Sequence, residues 1–161
     1  MDESLFQRVN WAWGLGLIVL TIMIHTMGVV MMAFALVRIR IRAERLNRDL
    51  PYVILIVIGV VGSAGLLLAM LHGIEAAIWA AAYVWLGALG SPMDALLYSV
   101  DSMSTRGASG LTLQPHWQMM GALEAVDGVL LFGISTAFMF STMQVYWHML
   151  SPSSEAASPE Q

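Results

Sequence analysis

The hydrophobic pattern of this chain consists of long apolar runs separated by short polar segments. Residues 9–37 carry no formally charged side chain. At about 1.5 Å per residue, a helix of this length can cross a hydrocarbon core about 30 Å thick. Trp11 and Trp13 lie at its start, where indole rings favour the headgroup level. The pattern therefore predicts a first membrane-spanning helix over residues 9–37.

A second apolar run begins beside Pro51, a residue that suits the first turn of a helix. Residues 52–71 are almost wholly apolar, and the helical pattern continues to Leu89, so this helix is expected to exceed the thickness of a bilayer core. Gly90-Ser91-Pro92 is predicted to end it, because proline cannot continue the hydrogen-bond ladder, and Ser91 is predicted to cap the next helix. Three aromatic residues are expected in its outer interfacial belt: Trp79, Tyr83 and Trp85.

The third apolar run follows a break at Gln114-Pro115-His116-Trp117 and occupies residues 118–150. It predicts another spanning helix, whose inner end is marked by Tyr146 and Trp147. Residues 151–161 are rich in Ser, Pro, Ala and Glu without apolar periodicity, and we expect them to be disordered. The predicted organisation is an extra helix with a basic loop (residues 1–50), a two-helix module (residues 51–150) and a tail (residues 151–161).

Residues 95–111, ALLYSVDSMSTRGASGL, follow a different pattern from the apolar runs. They begin as a short amphipathic helix and continue as Ser, Thr, Gly and Ala around Arg106, too short and too polar to cross a membrane alone. Small side chains and glycine leave the backbone groups to make the contacts. Irregular backbone at membrane depth is tolerated only where protein buries it or water reaches it. The segment therefore predicts a re-entrant pore loop between the second and third spanning helices.

Composition and charge narrow the class of protein and its orientation. Hydrophobic residues make up 58% of the chain and charged residues 11%, against about 45–50% and about 25% in soluble domains. We therefore expect an all-helical, multi-pass protein of the cell (inner) membrane. Residues 38–49 hold five of the seven arginines, and the positive-inside rule predicts that this loop is cytoplasmic, with the N-terminus outside and the C-terminus inside. These arginines are expected to bind anionic lipid and not nucleic acid.

Several classes of chemistry are excluded or disfavoured by what the chain lacks. Cysteine is absent, so there are no disulfides, thiolate metal ligands or cysteine nucleophiles. The acidic start, Met1-Asp2-Glu3, is unlike a secretory signal peptide. The sequence offers no catalytic dyad, so neither an enzyme nor a cofactor is expected.

Residues 95–111 resemble the pore helix and selectivity filter of tetrameric potassium channels, a pattern written in that family as ALWWSVxTxTTVGYGDL. Seven positions match it: Ala95, Leu96, Ser99, Val100, Thr105, Gly107 and Leu111. Four positions depart from it: Arg106 replaces the filter valine, Ala108 the tyrosine, Ser109 the second glycine and Gly110 the acidic residue. From residue 52 onward the chain is similar to that family's outer helix, pore loop and inner helix. The resemblance implies a homotetramer whose filter is formed by Ser104, Thr105, Arg106, Gly107, Ala108, Ser109 and Gly110.

Arg106 has two alternative orientations with opposite consequences. In the family that the chain resembles, the side chain at this position points away from the conduction path, towards the pore helix, where Asp101 would be its partner. Such a pair behind the filter would neutralise a guanidinium that is costly to bury alone. If Arg106 instead faces the pore, a ring of four positive charges would repel cations and would close the pore to them or pass anions.

Two acidic residues and a set of apolar residues on the third spanning helix are candidates for pore function. Glu124 and Asp127 share one helix face, and in a tetramer they would either form acidic rings that favour cations or brace the pore helix from behind by accepting hydrogen bonds. Gly128 and Gly133 would either relax this helix or allow close packing. One face beyond them is expected to line a cavity with a hydrophobic constriction: Phe132, Thr136 and Phe140.

Polar residues inside the other spans have no role that the sequence alone decides. His25 lies midway along the first span, where it would serve packing or function. His72 and Glu75, three residues apart, suit either a mutual hydrogen bond or half of a metal site. The additional ligands that a metal would need could come only from His25, His116, Glu124 and Asp127.

The sequence thus predicts a homotetrameric, potassium-channel-like membrane protein with three spanning helices and one re-entrant segment per chain. Its expected partners are membrane lipid and inorganic ions. We expect it to conduct cations with a selectivity that is not of the potassium type. The alternative is a non-conducting structural or sensory membrane protein that keeps the channel fold.

Overall fold

The computed structural model describes residues 3–44, 50–107 and 110–150, and the regular structure within them is helical. Its four α-helices are α1 (Glu3–Glu44), α2 (Leu50–Trp85), α3 (Pro92–Met103) and α4 (Gln118–Leu150), and a short 3₁₀ turn at Pro115–Trp117 precedes α4. Three of these helices contain stretches long and apolar enough to cross a membrane: Asn10–Arg42, Pro51–Trp85 and Pro115–Tyr146. The prediction of an all-helical chain with three such helices is confirmed, and the chain fits a membrane-embedded protein.

The first helix is longer than the sequence pattern predicted. It has 42 residues and includes Arg38, Arg40 and Arg42, which we had expected in a loop. Arginine is a good helix former, and no glycine or proline interrupts residues 38–44. A cation in the last turn also interacts favourably with the helix dipole. The remainder of the expected basic loop, residues 45–49, lies outside the described residues, as does the tail at 151–161.

The second helix ends before the predicted glycine-serine-proline break. Its last residue is Trp85, and Gly87 adopts a left-handed φ of 71° just beyond it. The N–H of Ala88 donates to the Tyr83 carbonyl at 2.9 Å, and the N–H of Gly87 donates to the Val84 carbonyl at 3.1 Å. These two bonds form a Schellman motif, which satisfies the last carbonyls of the helix. The end of α2 is therefore set by Gly87 and not by the proline.

The predicted start signals of α3 and α4 are confirmed. Ser91 is the N-cap of α3, with its hydroxyl accepting from the Asp94 N–H at 3.4 Å and Pro92 in the first turn. The third spanning helix begins at Gln118, directly after the predicted break. The cap at Ser91 and the prolines at Pro92 and Pro115 are features of the local sequence, which explains why both starts could be predicted.

One face of α1 carries small and polar residues and packs against the other helices. A Cβ added at Gly14 would overlap the Leu123 side chain, and one added at Gly28 would meet the Leu71 side chain at 2.8 Å. Thr21 and His25, between these glycines, are 0% exposed. Small residues let membrane helices approach closely, and polar side chains then bond across the contact. The α1 helix is thus part of the bundle and not an appendage to the two-helix module.

Candidate functional site

The short helix α3 ends in a turn with unusual backbone angles. Thr105 has φ 58°, which is uncommon for a residue other than glycine, and Gly107 has φ 82°. The Arg106 N–H donates to the Asp101 carbonyl at 3.0 Å, which holds the turn against the last turn of α3. Gly110 resumes the described chain with φ 81°; the remaining expected filter residues, Ala108 and Ser109, lie outside the described residues.

This turn is positioned by a close contact between α3 and α4. A Cβ at Gly128 would overlap the Met103 backbone, so only glycine lets the end of α3 approach α4 this closely. About two helical turns closer to the start of α4, a Cβ at Gly121 would overlap the Tyr98 hydroxyl. The Ser102 hydroxyl also donates to the Gly121 carbonyl at 3.1 Å. Gly128 thus allows close packing of α4 against the end of α3, which is one of the two roles expected for it.

The Arg106 side chain lies beside Asp101, as expected for the orientation that points towards the pore helix. Arg106 Nη1 is 3.4 Å from Asp101 Oδ1. The carboxylate side chain is 2% exposed, whereas the arginine side chain is 72% exposed in the single chain. Burial of the arginine in the assembled protein stays a prediction, because this exposure is that of one chain without its neighbours. The guanidinium reaches a buried carboxylate from outside.

Glu124 and Asp127 point into the bundle, and both are 0% exposed. Asp127 Oδ2 accepts from the Thr21 hydroxyl at 2.7 Å and from the Trp79 indole at 2.9 Å. Glu124 Oε2 accepts from the Tyr83 hydroxyl at 2.8 Å. These donors lie on α1 and α2, so the two carboxylates tie α4 to both other long helices. These contacts hold α1 and α2 and not the pore helix, so a brace behind α3 and an acidic ring in a tetramer both stay predictions.

Trp79 and Tyr83 were expected in an interfacial belt, and that expectation is wrong. Both are 0% exposed, and their polar atoms bond to carboxylates. Trp85, the third member of the expected belt, is 72% exposed. At the other end of the bundle Tyr146 is also buried, and its hydroxyl donates to the Leu36 carbonyl at 3.1 Å. The side chain of Trp147 lies outside the described part of the structure.

The residues His25, His72, Glu75 and Ser135 form a third polar contact, here called the His–Glu cluster. His25 Nδ1 is 2.9 Å from Glu75 Oε1, and His72 Nδ1 is 3.4 Å from Glu75 Oε2. Ser135 Oγ is 3.1 Å from His25 Nε2 and 3.0 Å from His72 Nε2. The cluster therefore joins α1, α2 and α4. Of the extra ligands that the sequence offered for His72 and Glu75, only His25 comes into this group among the described residues.

The residues expected to line a cavity lie on an open face of α4. Phe132 is 68% exposed and Phe140 is 62% exposed, and Thr136 between them is also exposed. Phe132 lines a cavity of about 320 Å³ together with His72 and Ser104. The three residues share one face, as predicted, and their part in a pore stays a prediction.

Sequence reasoning missed the donors that hold Glu124 and Asp127, namely Thr21, Trp79 and Tyr83, and it missed Ser135, which contacts the two imidazoles of the His–Glu cluster. The sequence does contain a signal for two of these residues, Trp79 and Tyr83. Trp79 and Tyr83 follow Glu75 at four-residue intervals, which places all three on one helix face. A polar face of this kind inside an apolar helix indicates a contact with other polar side chains.

Comparison with known proteins found no matching family model, no matching curated protein and no matching solved structure.

Proposed function

We propose that this chain is a subunit of a symmetric, channel-like membrane assembly, in which the turn after α3 contributes to an ion pathway. The α3 helix has 12 residues, a length of about 18 Å, which is much less than a hydrocarbon core of about 30 Å. It packs against both α2 and α4. A short helix and an irregular turn held between two long apolar helices support a re-entrant pore loop.

The observation that carries the proposal is the backbone of the turn. Thr105 and Gly107 have left-handed φ values, and Arg106 between them does not. Left-handed residues on both sides of Arg106 keep this segment out of a regular helix, and selectivity filters are built from backbone carbonyls of irregular segments of this kind. A left-handed threonine costs conformational energy, and such strain is concentrated at functional sites. The contact between Met103 and Gly128 fixes where this backbone lies.

The charge on the turn does not oppose cations. The one arginine of the turn reaches Asp101, so its charge is offset by a carboxylate. The selectivity we propose is not of the potassium type, because Arg106 and residues 108–110 depart from the potassium filter pattern that the loop resembles.

A single loop cannot enclose an ion pathway, so the proposal requires several chains around an axis. We infer a homotetramer from the resemblance of residues 95–111 to a fourfold-symmetric filter. Exposed apolar side chains on α3 and α4 are available to neighbouring chains or to lipid: Leu96, Leu97, Val100, Phe132 and Phe140.

Flux through purified protein in liposomes tests the proposal. Vesicles are given potassium, sodium or chloride gradients, each measured with the same preparation. We expect cation flux with little chloride flux. Arg106→Val, which removes the one positive charge of the turn, is expected to keep cation flux, while Thr105→Pro, which forbids a left-handed φ, is expected to abolish it.

The alternative is a non-conducting membrane protein that keeps this architecture for a structural or sensory role. An absence of ion flux under every gradient, with protein shown to be intact and oligomeric, would favour this alternative. Chloride flux without cation flux would instead indicate that Arg106 faces the pathway and would overturn the assignment of cations.

A further inference from the structure

The His–Glu cluster borders the same cavity as Ser104 through His72, but the proposed ion pathway gives it no role. We propose that it binds one divalent transition-metal ion, for which zinc is the best fit, through His25, His72 and Glu75. One ligand atom from each of these residues lies within 4.8 Å of the others. This proposal does not rest on ion conduction, and the two can fail separately.

The orientation of the two imidazoles is the first argument. The Nδ1 atoms of His25 and His72 both face Glu75, and both Nε2 atoms face Ser135. The Ser135 hydroxyl has one proton and two acceptor sites, so it can donate to only one of the two Nε2 atoms. If a metal occupies both Nδ1 positions, each Nε2 carries a proton and both donate to Ser135 Oγ. Metal-bound histidines almost always donate their second ring N–H to such an acceptor.

The Glu75 carboxylate is the second argument. Its side chain is 0% exposed, and Oε2 has no hydrogen-bond partner among the described residues, although it faces His72 Nδ1 at 3.4 Å. A buried carboxylate oxygen that has only this long contact and no hydrogen bond is costly. A metal ion bound between Glu75 and the two imidazoles would supply the missing interaction.

The ligand set and its spacing fit zinc better than the hard cations. Two histidines and one glutamate are an established zinc ligand set that leaves a fourth position for water, whereas calcium and magnesium prefer oxygen ligands. With bonds of about 2.0–2.1 Å, neighbouring ligands of a tetrahedral zinc ion lie about 3.3 Å apart. The imidazole nitrogens lie 2.9 Å and 3.4 Å from the two different oxygens of Glu75, and with one ligand atom per residue the three atoms lie within 4.8 Å of one another, so small side-chain movements would complete the site.

An entry path is present on one side of the cluster. The His72 side chain is 29% exposed and lines the cavity of about 320 Å³ next to Gly73 and Ala76. His25 and Glu75 on the other side are closed off, at 0% exposure. A metal ion would therefore enter at His72 and join α1 to α2, with Ser135 holding the imidazoles from α4.

Metal content of the purified full-length protein tests this site. After removal of any affinity tag, the protein is stripped with a chelator, reloaded with zinc, desalted and measured by inductively coupled plasma mass spectrometry. We expect about one zinc per chain and at least tenfold less in His72→Gln. The matched control is His116→Gln, which changes a histidine outside the cluster and should leave the zinc content unchanged.

The first variant is His72→Gln, because a partly exposed side chain can be changed with little effect on folding. The elution volume and the helical circular dichroism of this variant should match those of the wild type. His25→Gln and Glu75→Gln should lose zinc in the same way. If those variants do not fold, the wild-type protein alone provides the test. Bound cobalt(II) should give the visible absorption bands of a tetrahedral site, and these bands should disappear when zinc displaces the cobalt. Wild-type protein that binds no more metal than His72→Gln, or shows no cobalt bands, would mean that the cluster is only a hydrogen-bonded contact.

Ser135 is proposed as a positioning residue for the two imidazoles and not as a ligand. Ser135→Ala should keep about one zinc per chain at saturation and weaken the affinity about 10–100-fold. Unchanged affinity would remove Ser135 from the site, and a complete loss of binding in folded protein would contradict its assignment as a non-ligand.

Discussion

At the residue scale, three carboxylates that lie between the long helices, those of Glu75, Glu124 and Asp127, are held by side chains from other helices. Asp127 accepts from α1 and α2, and Glu124 accepts from Tyr83 on α2. Glu75 on α2 meets His25 on α1. Isolated ionisable groups are expensive in a membrane, so these partners are a condition for the helices to pack. The three contacts lie at successive levels of the bundle and specify how its helices fit together.

Trp79→Phe tests this account at one of these levels. The change removes the indole N–H and leaves Asp127 short of a donor while it stays buried. We expect a loss of about 1–3 kcal/mol in stability, measured by thermal or denaturant unfolding in detergent. Trp85→Phe, on the same helix but 72% exposed, is the control and should have a much smaller effect. Equal losses would mean that the bond to Asp127 is not what matters at Trp79.

A second residue-scale prediction concerns Asp101 and Arg106. Because the arginine is largely exposed in the single chain, a double-mutant cycle with Asp101→Asn and Arg106→Val should give a coupling energy of about 0.2–1 kcal/mol in separated chains. In the oligomer a larger coupling is expected, since a neighbouring chain would exclude water from the pair. Purely additive effects in both states would mean that the two side chains do not interact.

The sequence predicted some of these contacts and not others, for a physical reason. The spacing of His72 and Glu75 is local, because residues three apart meet on a helix, so their pairing could be predicted. The meeting of both with His25 and Ser135 depends on how three helices pack, which no local pattern encodes. Trp79 was misassigned because tryptophan near a predicted helix end is typical of the membrane interface, whereas its four-residue spacing from Glu75 places it inside the bundle.

At the scale of the elements, the position of α3 depends on one glycine of α4. Gly128→Ala puts a methyl group into the Met103 backbone, and overpacking of this kind typically costs about 1–3 kcal/mol. Gly133→Ala on the same helix has no atom within 4 Å of the added carbon and should be neutral or slightly stabilising, because alanine is the better helix former.

Unfolding in detergent compares the two glycine variants directly. Since Met103 ends α3, Gly128→Ala should also disturb the turn at Thr105, which limited proteolysis near that turn would detect. Similar behaviour of both variants would contradict the claim that the α3–α4 contact positions the turn.

The starts of α3 and α4 could be predicted from local capping and proline. The contact between Gly128 and Met103 could not, because a glycine in the sequence does not indicate which residues pack against it.

At the scale of the whole molecule, the arginines of residues 38–49 predict its orientation. Short loops rich in arginine stay in the cytoplasm, so Ser4→Cys should react with a membrane-impermeant thiol reagent added to intact cells. The chain has no cysteine of its own, so the labelling has no background. Ser154→Cys is the matched control and should react only after the cells are opened. The reverse result would invert the predicted topology.

Assembly is the second prediction at this scale. Protein in mild detergent should be a tetramer by native mass spectrometry, because a pathway lined by the turn after α3 needs several copies around an axis. A monomer or dimer under conditions that preserve the helices would count against a shared pathway.

The central claim is that the turns of several chains meet at one axis. Distances between spin labels on Thr112→Cys, just beyond the loop, test it in protein reconstituted in lipid, and labels on Met93→Cys, at the opposite end of α3, serve as the comparison. We expect two distances at Thr112, in the ratio of about 1.4 that the diagonal and side of a square define, both shorter than the corresponding distances at Met93. Distances at Thr112 that exceed those at Met93, or no distances between chains, would contradict the account.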